Sequence, residues 1–124
     1  MEITEREIHL LTQVEQSVQD TYRDFADLAH GFEHVQRVYH LAMHLAVLEK
    51  ADGFIVGMAA LLHDVGRTIR GPTHSHAARS AKFAKQLLIS YGLTHERQQP
   101  ILHAILSHGY RSGTRPETLE AQVL

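Results

Sequence analysis

The stretch from Phe54 to Leu62 is apolar nearly all round and runs into His63-Asp64-Val65-Gly66-Arg67. A segment without a polar face has to be enclosed by other elements. It is short enough for a buried strand by periodicity alone, but Ala59, Ala60 and its helical neighbours favour a central helix. Its end sets an imidazole beside a carboxylate, and Gly66 then lets the backbone turn away. Two readings are open for such a pair. One is an ordinary helix end, with His63 near the negative pole of the helix and Asp64 solvated. The other is a pair of metal ligands, since imidazole and carboxylate both suit borderline or hard divalent cations.

The elements around this run are helical. Thr4-Glu5-Arg6-Glu7 fits a capping box, after which Ile8, Leu11, Val14 or Glu15, Val18, Tyr22 and Phe25 recur at helical spacing. This predicts a helix to about Ala29, broken at Gly31. A second helix is expected from about Phe32 to Lys50, with Val35, Val38, Leu41, Ala42, Leu45 and Leu48 on its apolar stripe, before a turn at Asp52-Gly53. Arg67 to Thr73 reads as a loop. Ser75 to Tyr91 reads as the fourth helix, with Gly92 just past its end. Thr94 caps a fifth, reaching Ser107 or His108, with Pro100 in its first turn or kinking it. Gly109 to Thr114 is a second loop, and Arg115-Pro116-Glu117 opens a further helix with Pro116 near its first position. The expected fold is therefore all-α: one domain of five to six helices of unequal length, packed irregularly.

Bulk properties narrow the function. The chain has 124 residues, and its net charge of -2 comes from 12 basic and 14 acidic residues. That balance argues against a broad nucleic-acid surface, yet permits one small phosphorylated molecule held by one or two arginines. There is no cysteine, so any metal site is built from nitrogen and oxygen. No stretch approaches the ~20 apolar residues that span a bilayer. The acidic N-terminus lacks the features of a signal peptide, so a cytoplasmic protein is expected, with no membrane partner. The sequence carries no signal of oligomeric state.

The 11 histidines are the anomaly. His30 and His34 are four residues apart, as are His40 and His44, and His34 is one turn before Arg37, so imidazole and guanidinium can face one cleft. His74 and His76 lie at or near the start of the fourth helix, while His103 and His108 lie on the fifth. Separate helices thus each offer an imidazole near one end, which is how all-α metal sites are commonly assembled. His9 and His95 read as exposed. His40 and His44 read as solvated or hydrogen-bonded, and His74 is open to either reading.

The segment His30-Gly31-Phe32-Glu33-His34-Val35-Gln36-Arg37-Val38, followed by Leu61-Leu62-His63-Asp64-Val65-Gly66-Arg67, resembles the HD-domain superfamily of metal-dependent phosphohydrolases, especially its small single-domain bacterial branch. The stretches Ile101 to His108 and Pro116 to Leu124 also look like that family. The resemblance covers the chain from about Asp20 onward. It implies that His34, His63 and Asp64 hold one divalent metal, Mn²⁺ first, with Mg²⁺, Fe²⁺, Co²⁺, Ni²⁺ or Zn²⁺ as alternatives. It implies hydrolysis of a nucleotide or similar small phosphorylated metabolite. Asp64 can accept a proton from the attacking water. His76 and His108 match positions that some members use for a second metal or for protonating the leaving group.

Arg37 and Arg67 are candidates to bind the phosphate, since guanidinium matches phosphate bidentately; a surface salt bridge is the other reading of each. The family's distal aspartate ligand is missing, because no aspartate follows Asp64. Residues 1–124 are therefore expected to be an HD domain lacking its C-terminal helices and that ligand. A cut terminal helix would leave Val123 and Leu124 with no obvious core to cover. A shortened relative, or a site completed by water, substrate or a histidine such as His108, is also open. Two functional alternatives follow: a non-catalytic metal- or nucleotide-binding regulatory domain, and a redox variant holding two irons.

Overall fold

The computed structural model describes residues 2–25, 31–69, 76–108 and 115–124. They form six α-helices and one 3₁₀ turn, with no strand among the described residues. These are α1 (Glu5–Thr21), α2 (Phe32–Glu49), α3 (Gly53–Leu62), the 3₁₀ turn Val65–Thr68, α4 (His76–Ser90), α5 (His95–His108) and α6 (Leu119–Val123). The all-α expectation holds. No described helix is long and apolar enough to cross a membrane.

All ten residues of α3 are buried, so the apolar run is the central helix. Around it, α1 contributes Leu11, Val14 and Val18, α4 contributes Ala84 and Leu88, and α5 contributes Ile101, Ala104 and Ile105 to one core. A smaller cluster joins Ala42 and Ala46 of α2 to Val56 and Ala60 of α3. Val123 and Leu124 pack against that second cluster, so they do have a core to cover.

Helix ends follow local chemistry. The capping box is present, with the Glu7 amide donating to Thr4 Oγ1 at 3.1 Å and the Thr4 amide to Glu7 Oε1 at 3.0 Å. At the end of α4, Gly92 has φ +79°, and the amides of Gly92 and Leu93 donate to the carbonyls of Ile89 and Leu88. This pair of bonds is the Schellman arrangement.

Several boundaries differ from the sequence expectation. Helix α1 stops at Thr21 rather than near Ala29; the amides of Tyr22 and Arg23 reach back three residues and Phe25 closes a turn on Tyr22. The three-residue spacing of Tyr22 and Phe25 fits a turn as well as a helix. Residues 26–30 lie outside the described residues. The left-handed residue before α3 is Lys50, at φ 58°, while Asp52 caps α3 by accepting from the amides of Phe54 and Ile55. Pro100 sits in the second turn of α5. Helix α6 opens at Leu119 under a Thr118 cap instead of at Pro116, because the Thr118 hydroxyl satisfies the Ala121 amide.

The buried face of α2 is also turned from the expected stripe. Val35, Ala42 and Ala46 are buried, whereas Leu41 and Leu48 are 60% and 62% exposed. Ala42 and Ala46 thus pack on α3, while Leu41 and Leu48 lie outward. Between α1, α3 and α5, Arg97 bonds Glu7 at 2.6 Å and Asp52 at 3.2 Å and lies over the Phe54 ring. Glu120 Oε2 accepts the Asp52 amide at 2.9 Å, tying α6 to the start of α3.

Candidate metal centre

Where α3 ends, the backbone leaves the helix at Asp64 and enters the 3₁₀ turn. The role of Gly66 here is close approach. Its φ is not positive, and a Cβ on it would collide with the His76 carbonyl and the Ser80 backbone. Its amide donates to Ser80 Oγ at 2.7 Å, and its carbonyl accepts from Arg79 Nε at 3.1 Å. This packing brings α4, and His76 with it, against the His63-Asp64 doublet.

His63 is 2% exposed and Asp64 4% exposed. The Nδ1 atom of His63 is 2.6 Å from the Ala60 carbonyl oxygen. A carbonyl only accepts, so we assign the proton to Nδ1, which leaves the Nε2 lone pair available. Asp64 Oδ2 lies 3.5 Å from His63 Nε2 and 3.7 Å from His34 Nε2. One ligand atom from each of the three residues falls within 4.8 Å of the others. Metal bonds of about 2.0–2.2 Å put neighbouring ligand atoms roughly 3.0–3.6 Å apart, so two nitrogens and one oxygen here suit a divalent ion.

The second carboxylate oxygen faces the other way. Asp64 Oδ1 is 3.3 Å from Arg67 Nε and 3.6 Å from His76 Nε2. The His108 ring meets the His63 ring edge to face, with centroids 4.5 Å apart. These residues line a cleft of about 440 Å³ whose other wall is apolar: Val38, Leu41 and Leu45 of α2 with Val123 and Leu124. Spacing alone does not mark that wall as part of a site, because Val38, Leu41 and Leu45 match an ordinary core stripe.

Electrostatics keep the His63 imidazole neutral and the Asp64 carboxylate charged. Burial pushes the His63 imidazole down to about 4, although Asp64 opposes the shift. For Asp64, burial raises the pKa, but His63 and Arg67 outweigh it and hold the carboxyl below its usual value. His76 is lowered by burial and by the Arg67 charge. His108 is lowered by burial, with Asp64 opposing and His34 and Arg67 adding to it.

Residues 31–124 match the family model described as HD domain. The chain belongs to the HD-domain family. It is 30% identical over 106 residues to the uncharacterized protein YpgQ of Bacillus subtilis (strain 168), a match covering 86% of this chain. It spans 50% of that relative's length. A crystal structure of a predicted HD superfamily hydrolase from an uncultured Thermotogales bacterium superposes with a TM-score of 0.81 at 28% identity, covering 98% of this chain and 70% of that one.

Within this HD domain, the residues expected at the site divide. His34, His63, Asp64, Arg67, His76 and His108 line one cleft. Arg37 does not; it is exposed on α2 and is not part of the cleft lining, so its three-residue spacing from His34 fails to bring the two together there. His103 accepts the Glu117 amide at 2.9 Å, a structural bond. His9, His40, His44 and His95 are exposed, and His30 and His74 lie outside the described residues. Neither Glu117 nor Glu120 lines the cleft, and Glu120 is engaged by the Asp52 amide.

Proposed function

We propose that this HD domain is a metal-dependent phosphohydrolase acting on a nucleotide or similar small phosphorylated metabolite, with Mn²⁺ the first candidate metal. The observation that carries the reading is the His34, His63 and Asp64 cluster, with its donor atoms within 4.8 Å, beside an arginine in an open cleft. A divalent ion held there supplies Lewis-acid polarisation of a phosphoryl oxygen and lowers the pKa of water.

The chain's own residues supply the rest. The two oxygens of Asp64 face different neighbours, so Oδ2 is the ligand atom and Oδ1 is placed to take a proton from the attacking water. Arg67 binds the phosphate oxygens that face away from the ligands. Water oxygen forms the new bond to phosphorus, the bond to the leaving oxygen breaks, and the proton that Asp64 Oδ1 takes from the water is relayed to that oxygen through the neutral imidazole of His76, 3.6 Å from Oδ1, or of His108. The apolar wall opposite receives the non-phosphate part of the substrate. The same reading places the protein in the cytoplasm, with no membrane or extended nucleic-acid partner.

Phosphate release from a panel of nucleotides with Mn²⁺, measured on the wild type and His63→Ala, tests the proposal. Release by the wild type that is lost in the variant is expected; equal release by both overturns it. One observation favours a second reading, a non-catalytic metal- or nucleotide-binding regulatory domain. Among the described residues, Asp64 is the one side-chain carboxylate that lines the cleft. Stoichiometric metal without phosphate release would select that reading.

A further inference from the structure

We infer that Tyr22 is a positioning residue for Arg67, its hydroxyl holding the guanidinium through one water in the orientation that meets phosphate. The inference rests on the phosphohydrolase reading and extends it to a residue outside the cleft lining.

Tyr22 follows the last turn of α1 and is only 5% exposed. Its hydroxyl has no hydrogen-bond partner among the described residues, and the same is true of the buried Nε of Arg67. Buried polar atoms without partners are rare, and two in one neighbourhood ask for a common explanation. The chemistry is complementary, because a phenol oxygen accepts and guanidinium Nε–H only donates. The neighbourhood is common as well: α1 packs against the 3₁₀ turn that carries Arg67, and the Asp64 and Arg67 charges both act on the phenol.

The ring is fixed. Phe25 meets it edge-on with centroids 5.5 Å apart, and Phe32 lies tilted at 6.3 Å. Phe32 opens α2 two residues before His34, so Tyr22 sits where the end of α1 meets the start of the helix bearing a candidate ligand. Arg67, by contrast, is loosely held. Its Nε is 3.3 Å from Asp64 Oδ1 without the alignment of a hydrogen bond, and its Nη2 is 3.5 Å from His76 Nε2. A rigid acceptor behind a loosely held guanidinium limits the orientations that a phosphate has to select among.

A core aromatic with no such role makes a different prediction. Removing an unpartnered buried oxygen while keeping the ring leaves stability equal or higher and ligand binding untouched. The test is the affinity of the Mn²⁺-loaded protein for inorganic phosphate, with KM and kcat, in wild type, Tyr22→Phe, Arg67→Ala and the double variant. Thermal midpoints are recorded for each.

The expected result is that Tyr22→Phe keeps its thermal midpoint but weakens phosphate binding and raises KM by about tenfold, the loss of one hydrogen bond to a charged group. The effect disappears in the Arg67→Ala background. A wild type that binds phosphate while Tyr22→Phe matches it overturns the inference alone, as does a Tyr22 effect that persists without Arg67. A wild type that neither binds nor releases phosphate overturns the phosphohydrolase reading, and this inference with it.

Discussion

The imidazole of His63 is anchored 2.6 Å from the carbonyl oxygen of Ala60, one turn earlier on the same helix. The bond fixes the ring of a nearly inaccessible residue and leaves Nε2 on the side of Asp64 and His34. A buried histidine kept neutral is poised as a ligand, since no proton has to leave Nε2 before a metal binds. The centre is therefore ordered by backbone hydrogen bonding within α3, not by the ion pair with Asp64 alone.

Gly66 is the tightest point beside this centre. A methyl group there meets backbone atoms of His76 and Ser80, which cannot move without shifting α4. Gly66→Ala is expected to destabilise the protein by about 1–3 kcal/mol, measured by urea denaturation, the range typical of overpacking. Because His76 moves with α4, phosphate release should fall beyond what the lost folded fraction explains.

Arg67→Lys keeps the charge but loses the planar fork. KM is expected to rise by about tenfold or more, since bidentate contact to phosphate is lost. Mn²⁺ affinity should stay close to that of the wild type, because Arg67 contacts the Asp64 oxygen that is not a ligand atom. Calorimetric Mn²⁺ titration alongside steady-state kinetics separates the two effects.

Much of this architecture is legible in the residues. Thr4 with Glu7, Gly92 and the all-round apolar run each carry a local physical signature, and the helices follow from them. The metal candidates His34, His63 and Asp64 are legible through the family resemblance of the segments that carry them. Other features depend on tertiary packing. Leu41 and Leu48 fit an apolar stripe by periodicity, yet Ala42 and Ala46 take the buried face against α3. Arg37 satisfies the helical spacing from His34 and still faces solvent. Gly66 signals backbone freedom by its type, while its use is a close helix approach that only the position of α4 reveals. Tyr22 reads as an ordinary core aromatic because nothing in its spacing marks an unpartnered hydroxyl.

The Tyr22 phenol also makes a prediction at alkaline pH. Burial, with the Asp64 charge adding to it, raises its pKa above the ordinary value of 10.0. The unfolded chain therefore loses this proton first. Stability from the neutral phenol is complete below about pH 10 and is lost as pH rises toward the raised folded value. The urea midpoint of the wild type should fall more steeply between about pH 9 and 11 than that of Tyr22→Phe. Parallel curves would contradict the buried, neutral phenol.

The most direct test of the central claim is the metal content of the protein after loading with Mn²⁺ and removal of free ion, compared between the wild type and His63→Ala. One divalent ion per chain is expected in the wild type, and loss of that ion in a folded His63→Ala. No stoichiometric metal in the wild type, or equal metal in both proteins, would contradict it.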